Sequence, residues 1–131
     1  MGGIAPGTVM DALATAFSTV DGVTRAFAYP REDPSPGTAI VGYPDGDISL
    51  SITFGRGADR GTFVVWVVCG LVQDLATRDV VDTVLSDGAV DVLQALNATS
   101  LTIPTVRARF ERLDIGGLQH LAIRFDIEVV A

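Results

Sequence analysis

The chain has 131 residues, 48% of them apolar and 19% charged, which places it as one globular domain and excludes disorder. Its net charge is −7, all nine cations are arginine, and no basic cluster occurs, so it is a poor binder of the nucleic-acid backbone. The longest apolar run, Phe63 to Val72, is about half what a helix needs to span a bilayer, so no membrane segment is expected. The opening "MGGIAPGTVMDALATAF" has no basic residue ahead of its apolar part and does not read as a secretory signal. Pro6 stands where a myristoylation motif wants Ser or Thr.

Val9, Leu13, Ala16, Phe17 and Val20 recur at helical spacing, which predicts a helix over Thr8–Val20 ended by Asp21-Gly22. A short strand is expected near Val23–Tyr29, and "PREDPSPG" reads as a loop because its three prolines exclude a regular ladder. Thr38–Tyr43 reads as a strand and Pro44-Asp45-Gly46 as a turn. Ile48, Leu50, Ile52 and Phe54 then alternate with small polar residues, the period of a half-buried strand. After the tip GRGADRG, "TFVVWVVCGLV" is apolar on both faces, as befits a strand in the middle of a layered structure. Together the two arms make a long central hairpin.

Asp74 can cap a helix carrying Leu75, Val80, Val81, Val84 and Leu85, with Ser86-Asp87-Gly88 as its stop and a short second helix over Val90–Leu96. The last segment is a hairpin around Gly116-Gly117. Charge favours a turn at Gly117-Leu118, which sets Arg107 against Glu128, Arg109 against Asp126 and Glu111 against Arg124, with Phe110 meeting Phe125 on the inner face. Moving the turn back one residue opposes Arg109 and Arg124. The fold class is therefore α+β: a mixed or mainly antiparallel sheet, an N-terminal helix and two consecutive helices packed on it, a central hairpin and a C-terminal hairpin.

The chain offers few constellations for catalysis. His120 is its one histidine, expected exposed or at an edge, and Cys69 its one cysteine, expected buried and inert. Zinc would lack a normal ligand set, and Asp45-Gly46-Asp47 lacks the ligand series of a calcium loop. Asp74, Asp79, Asp82 and Asp87 read as a solvated helix face. Gly55, Gly57 and Gly61 fit neither a dinucleotide fingerprint nor a P-loop, and a strand rather than a helix follows them. No catalytic residue, cofactor or metal is expected. Glycines and the charges Arg56, Asp59 and Arg60 suit the tip to touching a neighbour.

The run "LATRDVVDTVLSDGAVDVLQALNATSLTIP", Leu75 to Pro104, followed by a strand pair ending "LAIRFDIEVVA", resembles the tail terminator proteins of long-tailed bacteriophages. There a helix ends at a Ser/Gly break, a short helix with an "AL" ending follows, and a hairpin closes the chain. The early helix, the proline-rich loop and the long central hairpin are similar as well, so the likeness spans nearly the whole chain. Asp91-Val92 stand where Ser and a β-branched residue are common, and Asp91 departs from that pattern. The resemblance implies a ring, usually of six copies, on the head-proximal end of the tail tube in the virion, made in the host cytoplasm. Its partners would be itself, the tube protein and the head connector or neck proteins, with DNA only as passing cargo and no membrane. Arg56, Asp59 and Arg60 would then meet the next subunit or the tube, and Asp45 and Asp47 would be candidates for the lumen. The competing expectations are another neck, head-completion or adaptor protein, a small dimeric ligand-binding module, and an enzyme built on the acidic helix.

Overall fold

The computed structural model describes residues 6–20, 22–30, 35–43, 60–99 and 101–130, apart from the side chains of 86–91. Helix α1 (Pro6–Phe17) opens on a proline, whose missing N–H costs nothing in a first turn. Its predicted stripe of Val9, Leu13, Ala16 and Phe17 is buried, joined by Met10 and Ala14. Gly22, at φ +89°, turns the chain toward the sheet. Strand β1 (Arg25–Phe27) runs parallel to β2 (Thr38–Val41), and the proline-rich segment connects them. The first arm of the predicted central hairpin and residues 55–59 of its tip lie outside the described residues, whereas Arg60 and Gly61, read from sequence as part of the tip, already pair with β5.

Strand β3 (Arg60–Leu71) is the predicted second arm. Among the described residues five strands form one sheet in the order β1-β2-β3-β5-β4, with β4 (Thr102–Ile115) and β5 (Leu118–Val130) as the C-terminal hairpin. All pairs but β1–β2 are antiparallel. The solidly apolar β3 is therefore central, as its composition required.

Phe63, Val65, Val67 and Cys69 of β3 join Ile123, Phe125, Ile127 and Val129 of β5 and the α1 stripe in one core. Phe17 and Phe125 pack with ring centres 5.3 Å apart and planes tilted by 58°, a favoured aromatic geometry. On the pleat's other face Ile40, Val64, Val68 and Ala122 are buried too.

After β3 the chain enters α2 (Leu75–Asp82), a π-helical turn over Thr83–Asp87, and α3 (Gly88–Asn97). The expected stop at Ser86-Asp87-Gly88 does not occur. Wider hydrogen-bonded turns accommodate the extra residue, and Gly88 opens α3 instead of closing α2. The bend lets Val84 insert fully into the core together with Val92 and Leu96. Asp74 occupies the N-cap position with extended φ −85° and ψ 135°, yet its side chain makes no capping hydrogen bond. Its carbonyl instead accepts the Thr77 N–H at 3.3 Å. Leu75, assigned to the apolar stripe from sequence, is 74% exposed, and α2 buries only Thr77. Among the described residues no helix is long and apolar enough to cross a membrane.

Candidate functional site: a charged sheet face and an apolar end cavity

The hairpin register differs from the one favoured by charge. Gly116 and Gly117 both take left-handed conformations, at φ +63° and +82°, so they form the two central residues of a type I′ turn. Leu118 would have had to enter the predicted turn, and its Cβ makes it the poorer choice beside two glycines. The ladder consequently sets Arg109 opposite Arg124, Arg107 opposite Asp126 and Glu111 opposite Ala122. Phe110 lies across from Ile123 rather than Phe125.

Opposite charges still meet, along β5 and across the diagonals to β4. Arg124 Nε donates to Asp126 Oδ1 at 2.8 Å, and its Nη1 lies 3.6 Å from Glu111 Oε1. Arg109 Nε stands 3.9 Å from Asp126 Oδ2. Trp66 Nε1–H donates to Glu111 Oε2 and ties β3 to the edge strand across β5. Two of the three predicted ion pairs thus form in a register that does not place the residues face to face, because long side chains reach diagonal neighbours. Turn stereochemistry outweighed cross-strand charge, and the charges adapted.

These residues floor a shallow cavity of about 400 Å³, lined by Thr62 and Thr105 with Arg107, Arg109, Arg124, Asp126 and Glu128. Arg124 is largely covered, its side chain 12% exposed, while Arg109 reaches solvent.

A second cavity, about 500 Å³ and mainly apolar, opens where β3 ends. Cys69, Gly70 and Leu71 line it with Thr77 and Val80 of α2, and with Leu118 and His120 beside the hairpin turn. His120, expected exposed or at an edge, is buried on β5, an inner strand. Its Nδ1 lies 3.1 Å from the Leu118 carbonyl, which only accepts, so Nδ1 carries a proton. The sequence missed this because a position near a turn looks exposed until a helix is packed beside it. Cys69 is buried as expected; loss of hydration raises its thiol pKa from 9.0 to about 11, partly offset by a hydrogen bond from the Ile123 backbone. A thiol held this way is a poor nucleophile at neutral pH.

Gly70 sits at a register irregularity where β3 slips against β5. Its φ is +133°, and a Cβ there would come within 2.6 Å of Thr77 Oγ1. The Thr77 hydroxyl donates to the Leu71 carbonyl at 2.6 Å, pinning α2 to the strand end.

Asp45, Asp47, Arg56 and Asp59 lie outside the described residues. Arg60 is exposed as the first residue of β3, opposite Val130. Asp79 and Asp82 are exposed on α2. Among the described residues no three His, Cys, Asp or Glu side chains converge on a metal site. No protein-family model matches the chain, and no curated protein matches it either.

Proposed function

We propose that the chain is a structural virion protein, a tail terminator that closes as a ring on the head-proximal end of a long-tailed phage tail tube. What supports this reading is the order of elements: an early helix, a strand buried on both faces, two consecutive helices over Leu75–Asn97, and a closing hairpin. That order is the one the resemblance rests on. The ring would act by geometry, capping the tube against further polymerisation and offering a surface to the head connector. Subunits carrying −7 each would line the passage with charge of the same sign as DNA, favouring transit over adhesion. Asp45 and Asp47 are the lumen candidates, and Arg56, Asp59 and Arg60 the contacts to a neighbour or the tube.

A ligand-binding module is the second reading, favoured by the apolar cavity that β3 helps to line. Particle mass and negative-stain images of the purified chain, alone and with tail tubes, separate the two. The terminator reading expects rings, or tubes capped at one end. Replacing Arg56 and Arg60 with alanine should leave the circular-dichroism spectrum unchanged and weaken that assembly. Tubes left uncapped by folded protein would overturn it.

A further inference from the structure

Strand β4 is an edge strand: β5 pairs with its inner side, and among the described residues no strand lies beyond it. A two-residue turn at Gly116-Gly117 makes Ile115 and Leu118 the first hydrogen-bonded pair. Alternation then sends the N–H and C=O groups of Val106, Ala108, Phe110, Arg112 and Asp114 outward, away from β5. Edges are usually guarded by charge or proline. Here the charges are self-complementary.

We infer that β4 pairs antiparallel with β4 of a second copy about a two-fold axis at Phe110, joining two five-stranded sheets into one. With that axis, Phe110 faces Phe110, and Arg109 of each copy faces Glu111 of the other on both sides. Phe110 forms the hydrogen-bonded pair, so the Arg–Glu pairs fall at non-hydrogen-bonded positions, where side chains are closest. Moving the axis to residue 109 stacks Arg109 on Arg109; moving it to 111 stacks Glu111 on Glu111. An axis between residues opposes outward with inward backbone groups and forfeits the hydrogen bonds. An in-register parallel pairing aligns like charges throughout. Pro104, which has no N–H, falls opposite Gly116 and so outside the paired stretch.

Packing agrees with charge. Phe110 is 57% exposed, a large aromatic on the helix side of the sheet that α2 leaves largely uncovered. It borders an apolar groove of about 440 Å³ that includes Val72, Val81 and Leu121. A second Phe110 on the same face packs against the first from the sheet edge and covers its exposed outer side. The contact closes on itself and stands independently of the ring.

Sedimentation equilibrium of the full chain over a range of concentrations tests it. The mass should rise from 13.7 kDa to twice that value. Ala108→Pro removes an outward N–H that β5 does not use, a substitution an edge strand tolerates, and should hold the mass at one chain with the melting curve little changed. Arg109→Glu should also give single chains, because Glu then faces Glu. Glu111→Arg should do the same, and mixing these two variants should restore pairs. A chain that stays single at every concentration, or pairs indifferent to Ala108→Pro and Arg109→Glu, would overturn the inference and leave the edge to a strand from another protein. A six-chain particle indifferent to Ala108→Pro would support the ring and equally overturn the two-fold contact.

Discussion

Cys69 shows how a single side chain can be chemically silent by placement. Burial favours the neutral thiol, so its pKa stands near 11 in the folded chain against 9.0 for an ordinary thiol. A raised folded pKa adds stability that is fully present below the unfolded value and lost as pH rises from about 9 to 11. The contribution at stake is of order 2–3 kcal/mol. Urea midpoints of the native chain should therefore fall more steeply over that interval than those of Cys69→Ala, and a parallel decline would refute the assignment. Alkylation at neutral pH should be slow in the folded protein and fast in urea. Gly70 carries a second residue-scale expectation. Gly70→Ala should cost about 2–3 kcal/mol, combining a left-handed backbone with a clash against Thr77. Gly70→Ala combined with Thr77→Ala should cost less than the sum of the two, since the second change removes the clashing hydroxyl. Additive losses in chemical denaturation would show that the two residues do not meet.

Among the elements, the C-terminal hairpin shows which local signal dominates. Its existence and charge alternation were legible because the period of two runs through both arms. Its register was not, because two candidate turns differ by one residue and long charged side chains reach diagonal partners as well as directly opposed ones. Gly116 and Gly117 together supply the left-handed pair that a type I′ turn demands, and the diagonal contacts Arg124–Glu111 and Arg109–Asp126 still bring opposite charges together. Gly117→Ala should destabilise the chain by about 1–2 kcal/mol, whereas Gly116→Asn should be nearly neutral, because Asn tolerates the left-handed region. Equal effects of the two substitutions in thermal melts would contradict the turn assignment. The π-helical turn was hidden for a related reason. Ser86-Asp87-Gly88 has the composition of a helix stop, and only the need to bury Val84 makes a widened turn the better solution.

At the scale of the whole molecule, one core binds every described layer, so α1, the bent helical stretch and the inner strands should unfold together. Phe17→Ala, removing a fully buried ring packed on Phe125, should cost about 3–5 kcal/mol. Helix signal and Trp66 fluorescence should then melt in a single coincident transition, and separated transitions would contradict a shared core. The amino-acid sequence by itself determined the α+β class, the α1 stripe, the central place of β3 and the burial of Cys69, because each follows from hydrophobic periodicity within one segment. Tertiary structure alone decided the parallel β1–β2 pair, the burial of His120 and the exposure of Leu75 and Phe110. Those depend on which element lies over which, a balance of contacts between residues far apart in the chain that no local period encodes.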